Sequence, residues 1–261
     1  MPMNSLDKML ALLDVFTPEA PIWSIEQLAA RSGTTRSTCY RYARSLQLAG
    51  LLSPVGQGAY MLGSRVIELD RNIRVSDPIY LAGGEPLQAL SKRAGQKGIL
   101  CVLYSDAVMC VREVPGVDAL AGSFSRGQKR PLFTAAASKV ILAELPAHQL
   151  RRLYAKHGDA IGRAGLGCDW NEFRAALRRI RDDGHCITVG EFTPGIVGIA
   201  APIFNRAGQV LGSIGLAMTD GSVDPAAYPA MAHDVMAAAA ETTRRIGEIH
   251  HAVDLPARAV G

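Results

Sequence analysis

Between Gln27 and Ile67 the sequence has no aspartate or glutamate, yet five arginines (Arg31, Arg36, Arg41, Arg44 and Arg65) fall in that window. An ordinary solvated surface mixes both signs, so a stretch with only cations is the footprint of a polyanion-binding face. Acid is not scarce overall: 24 Asp and Glu stand against 28 Lys and Arg, for a net charge of +4 in 261 residues. The basic character is therefore local. No apolar run reaches the roughly eighteen residues of a membrane span, and the N-terminus lacks the basic and apolar regions of an export signal. The chain is expected to stay in the cytoplasm and off the membrane.

Cysteines are few, odd in number and scattered (Cys39, Cys101, Cys110, Cys168 and Cys186), with no Cys-x-x-Cys pair. That pattern argues for reduced thiols and against a disulfide framework or a zinc ribbon. The six histidines show no metal-ligand spacing. Gly162, Gly165 and Gly167 lack the lysine and helix start of a phosphate-cradling loop. His185 and Cys186 are neighbours on an expected strand, so their side chains point to opposite faces and form no dyad. Glu191 has no second carboxylate at a defined spacing. An enzyme of small acids is therefore the weaker alternative, and no cofactor or metal is expected. A protein-binding scaffold that uses its helices without DNA is the other alternative, and the acid-free arginine window argues against it.

What is present starts at Ser24. Ser24 and Gln27 have capping-box spacing at the head of one short helix. Gly33 suits the bend after it, and Thr34 or Thr35 caps a second helix. On that second helix Cys39, Tyr42, Ala43 and Leu46 recur on one face. Ser37, Tyr40, Arg41 and Arg44 fall on the other, with Arg36 near its start. Forked cations, a hydroxyl and an aromatic are the side chains that reach base edges and phosphates. The candidate DNA-binding residues are Thr34, Thr35, Arg36, Ser37, Tyr40, Arg41, Arg44 and, at the tip of a following Gly-rich hairpin, Gln57. A hairpin placed there makes the module a winged helix-turn-helix and double-stranded DNA its partner.

Along the chain, residues 4–16 read as a first helix with Leu6, Met9, Leu10, Leu13 and Phe16 on its inner face. Residues 64–75 form a helix whose Val66, Ile67, Leu69 and Ile73 have nothing local to bury them, which suggests pairing with a second copy. Asp77-Pro78 stops it. The boundaries are thus 1–63 for the DNA-binding domain, 64–77 for the linker helix and 78–261 for a second domain. That domain reads as a helix (79–94), strands (98–105, 108–114, 119–124), helices (134–145, 147–156, 170–183), strands (185–189, 195–204, 210–218) and a final helix (225–250). The order is that of an α+β fold with a mainly antiparallel sheet.

These residues resemble the IclR-type transcriptional regulators over nearly the whole chain. The resemblance is carried by Gly58-Ala59-Tyr60-Met61-Leu62-Gly63 after the winged helix. It continues in Gly127-Gln128-Lys129-Arg130-Pro131-Leu132 leading to Ala136-Ala137-Ser138-Lys139, and in Gly184-His185-Cys186 leading to Glu191. It ends in Gly195-Ile196-Val197-Gly198-Ile199-Ala200-Ala201-Pro202-Ile203-Phe204. It implies a GAF-like effector-binding second domain, and a dimer or a dimer of dimers on a pseudo-palindromic operator. Ser138 stands where the family usually has glycine. Gly215 and Ala217 match positions that offer serines in members binding very small oxo-acids, so the resemblance implies a wider, less polar pocket and a bulkier or aromatic acid.

The carboxylate of that acid is expected on the amides of Ala135, Ala136 and Ala137 at a helix start near Thr134, where the dipole favours an anion. Phe124, Glu191, Ile199, Gly215 and Ala217 are the expected facing wall, with residue 215 able to fill the cavity if enlarged.

Overall fold

The computed structural model describes residues 4–117 and 124–249. They form two compact units that divide between Ser76 and Asp77.

In the first unit, α1 (Ser5–Leu10) opens with a reciprocal Asn4/Asp7 capping box. It runs into a 3₁₀ turn, Ala11–Val15, instead of continuing to Phe16. The tighter winding moves the inner face: Leu12 is buried, whereas Leu6 and Leu10 are 66% and 52% exposed, against the expectation from a continuous helix. A two-residue strand not foreseen from the sequence, β1 (Trp23–Ser24), leads into α2 (Ile25–Ser32). Ser24 and Gln27 cap α2 reciprocally, and Gly33 ends it at φ 62°. Thr35, not Thr34, caps α3 (Arg36–Leu48) by accepting from the Thr38 amide. Cys39, Tyr42, Ala43 and Leu46 face inward, where they meet Leu12, Leu28 and Leu52 in one core. Strands β2 (Leu52–Gly56) and β3 (Ala59–Leu62) make the wing hairpin, with β1 pairing on β3. The last helix of this unit, α4 (Arg65–Ser76), buries none of its residues.

The second unit opens with two helices, α5 (Pro78–Ala82) and α6 (Gly84–Ala94), where periodicity suggested one. The break falls at Gly83-Gly84. A Cβ on Gly83 would sit 2.7 Å from the Leu100 side chain, so the tight approach to the sheet dictates the small residues there. Six strands follow the spatial order β6-β5-β4-β9-β8-β7, every neighbouring pair antiparallel. They are β4 (Lys97–Tyr104), β5 (Ala107–Val114), β6 (Lys129–Pro131), β7 (Cys186–Val189), β8 (Ile196–Phe204) and β9 (Val210–Thr219). The strand expected at residues 119–124 lies, but for Phe124, outside the described residues.

Between β6 and β7 come α7 (Ala136–Ala143), α8 (Ala147–Arg163) and α9 (Trp170–Asp183). Helix α8 runs past the expected Lys156 through a kink at His157. Strand alternation splits the apolar residues into two layers. Ile99, Cys101 and Leu103 face α7, α8 and α9, whereas Leu100, Val102, Ile214 and Leu216 face α5, α6 and α10 (Tyr228–Ile249). The unit is therefore a two-sided α+β sandwich around an antiparallel sheet. Among the described residues no helix is long and apolar enough to cross a membrane.

Candidate functional site

The first unit presents one outward face. Arg36, Ser37, Tyr40, Arg41 and Arg44 are all exposed on α3, Tyr40 by half its area. A concavity between that face and the wing tip gathers Arg36, Ser37, Tyr40 and Gln57. Gln57 holds a left-handed φ of 49° between Gly56 and Gly58, both also at positive φ, so the tip turns sharply and projects its amide. Thr34 is half-buried and bonds Ser32 at 2.8 Å, while Thr35 is occupied as the cap. Arg36 is tied to Glu26 at 2.8 Å, the last acid before the acid-free window. That partner was not foreseen, because it sits on the preceding helix. Arg41 and Arg44 make no ion pair among the described residues. A strip of donors with unneutralised charge, beside a projecting hairpin, can hold a phosphate backbone and present forks to base edges.

The second unit holds a cavity between the start of α7, the sheet and the loop after β7. Its walls include Ile99, Phe124, Ala136, Ala137, Ala200 and Ala217, with Arg130, Thr188 and Glu191 supplying polarity. Most of the effector residues expected from sequence border it: Phe124, Ala135, Ala136, Ala137, Glu191, Ile199 and Ala217.

One expectation narrows and one changes. Ile199 borders the cavity, but its side chain also packs in the apolar layer under α10, while its neighbours Gly198 and Ala200 take the other side of β8. Gly215 does not line the cavity. A Cβ there would run into the Ile199 carbonyl oxygen and lie 2.9 Å from Ala200, so the glycine serves the close approach of β8 and β9.

Two of the three amides expected at the helix start are also already bonded. Helix α7 begins at Ala136, and Ala135 before it holds φ 68° and ψ 149°, a conformation that costs any residue but glycine. That geometry turns the amides toward the loop after β7. Ala135 donates its N–H to Glu191 Oε2 at 3.2 Å and Ala136 to Thr188 Oγ1 at 3.1 Å. Glu191 Oε1 meets Lys139 Nζ at 2.6 Å, and that lysine is buried. A carboxylate of the protein itself thus sits where an external one was expected.

Sequence reasoning missed Arg130 and Phe192. The Arg130 guanidinium carbon lies 4.3 Å from the Phe124 ring centre and 4.4 Å from that of Phe192. Its Nε is buried without a hydrogen-bond partner, and burial pulls its pKa below the usual arginine value. Strand β6, which carries it, has only three residues and no alternating pattern to reveal it. Cys101 and Cys110 are paired across β4 and β5 in the same layer. Burial pushes the Cys101 thiol well up. Among the described residues no cluster of His, Cys, Asp and Glu could hold a metal ion.

Comparison with known proteins agrees with this geometry. The model of the IclR helix-turn-helix domain matches residues 5–56, and that of the bacterial transcriptional regulator IclR C-terminal domain matches residues 76–244. The HTH-type transcriptional regulator XynR of Escherichia coli (strain K12) is 24% identical over 245 residues, 94% of this chain and 97% of that one. The crystal structure of an IclR regulator from Alicyclobacillus acidocaldarius superposes with a TM-score of 0.78 at 22% identity, covering 95% of this chain and all 100% of that one. An IclR homologue from Microbacterium hydrocarbonoxydans, crystallised with 4-hydroxybenzoate, gives 0.77 at 17% identity over 93% of this chain and 99% of its own. These families and relatives are regulators of transcription, not enzymes. With both domains matched in order, the chain belongs to the IclR family of bacterial transcriptional regulators.

Proposed function

We propose that this regulator works in the cytoplasm and binds a pseudo-palindromic operator through α3 and its wing. In this reading the cavity of the second unit holds a small organic acid, aromatic rather than two or three carbons long. The observation that carries the ligand class is the cavity itself: apolar walls, two phenylalanines and, among the described residues, a single cation that meets no carboxylate. Such a site suits an apolar body with one negative end. The 4-hydroxybenzoate complex of the Microbacterium homologue supports the same class. To switch the operator, the acid need only bind the DNA-bound and DNA-free states unequally, by roughly 1–3 kcal/mol.

The proposed assembly is a homodimer or tetramer. One winged helix covers only a few base pairs, and two half-sites supply the affinity regulation needs. Helix α4 supports this, since Ile67 and Ile73 are 73% and 49% exposed and none of its residues is buried.

The test is a gel shift with the DNA upstream of the protein's own gene, run with benzoates, short hydroxy acids and oxo-acids. Retardation that a benzoate alters and the two- and three-carbon acids do not is the expected result. Retardation altered only by neutral or cationic compounds would overturn the ligand class. A chain that fails to prefer this DNA over a scrambled duplex at physiological salt would overturn the operator reading.

A further inference from the structure

We propose that Arg130, and not the start of α7, is the carboxylate anchor of the cavity, and that the site selects flat monocarboxylates over their neutral and dianionic counterparts. This rests on the small-acid reading above and names the group that recognises the acid. Four observations support it.

First, two of the three amides expected to receive the carboxylate are taken, Ala135 by Glu191 and Ala136 by Thr188. Second, the other charges bordering the cavity cancel, because Glu191 is closed on Lys139 at 2.6 Å. Third, Arg130 remains. Its Nε is buried with no partner, and among the described residues its side chain meets no carboxylate. The rings of Phe124 and Phe192 draw the cation electrostatically but supply no oxygen acceptor to its N–H donors. A guanidinium keeps its charge in a protein, so the cavity carries one surplus positive charge in an apolar setting. The partner that completes it is a single carboxylate, gripped by two parallel N–H···O bonds. Fourth, the walls around it are apolar, with Ile99, Ala136, Ala200 and Ala217 against the space a ring would fill. A second carboxylate on the same ligand would meet this apolar wall, which disfavours it.

The two aromatic neighbours divide the work. Phe124 is buried at 3% exposure and forms the floor, while Phe192, at 44%, forms the rim on the loop after β7. The rim ring is the one a planar ligand displaces or stacks upon when it enters.

The test is isothermal titration calorimetry on the full-length protein with 4-hydroxybenzoate, its neutral isostere 4-hydroxybenzamide, and terephthalate. Wild type should bind 4-hydroxybenzoate at least about tenfold more tightly than the amide or the dianion. Arg130→Gln should remove that preference, bringing the acid down to the amide while leaving the amide's own affinity in place. Arg130→Lys should fall between, because a point charge lacks the fork. If Arg130→Gln does not melt cooperatively, the acid-to-amide ratio of wild type and the intermediate rank of Arg130→Lys decide the matter. Equal acid affinity in wild type and Arg130→Gln would overturn the anchor while leaving the small-acid regulator intact. No binding of any benzoate by wild type would overturn the anchor and the ligand class together.

Discussion

Arg41 and Arg44 stand exposed on α3 with no ion-pair partner among the described residues, whereas Arg36 on the same helix is held by Glu26. The three are therefore not equivalent. An arginine that forks onto a guanine is worth about 1–3 kcal/mol of discrimination and acts on one base position. One that holds a phosphate weakens every sequence alike and flattens the salt slope by roughly one unit when removed. Arg41→Ala and Arg44→Ala should each reduce operator affinity, and fluorescence anisotropy at several salt concentrations tells the two roles apart. Unchanged affinity for both variants would mean that another face meets the DNA. Arg36→Ala should do less than either, because Glu26 already offsets the Arg36 charge.

At the scale of elements, the site is made where β7, β8, β9 and the start of α7 converge. Small residues decide how closely they come. Gly198 faces Ala136, where an added Cβ would lie 3.5 Å from the alanine methyl, an ordinary contact. Gly215 is different, since any side chain there collides with the backbone of β8. From its match to ligand-facing positions, a leucine at 215 is expected to fill the pocket. The geometry instead predicts damage to the sheet. Gly215→Ala should lower stability by about 1–3 kcal/mol, the usual result of overpacking. Thermal melting followed by circular dichroism checks it; an unchanged midpoint would show that β8 and β9 can separate without cost. Helix α7 bears a second constraint, the positive φ of Ala135, where glycine would remove strain and still leave the amide for Glu191.

For the whole molecule, the exposed stripe of α4 is the feature a monomer leaves unexplained. Val66, Ile67, Leu69 and Ile73 together offer an apolar seam at helical spacing. Charged residues placed on that seam should weaken self-association and, with it, operator affinity. Ile67→Glu with Ile73→Glu is expected to shift the species measured by sizing with light scattering toward the monomer at micromolar protein. A wild type that is monomeric under the same conditions, with or without DNA, would sink the dimer.

The sequence by itself determined the local architecture of both units. The cap at Ser24, a threonine cap at residue 34 or 35, the bend at Gly33, the buried stripe on α3, the wing and the extent of α9 were all legible. Each depends on side chains within a few residues of one another, so spacing alone carries the information. The order of strands and helices likewise pointed to the antiparallel sheet, and an acid-free window marked the basic face. Tertiary structure decided the rest. It wound α1 into a 3₁₀ turn, broke the helix at Gly83-Gly84 and packed Ile199 into the layer under α10. It also brought Glu191 onto the Ala135 amide, and Phe192 of the loop after β7 onto Arg130 opposite Phe124. The physical reason is that charge pairing and cavity walls are made by residues tens of positions apart, and no local period records which of them meet.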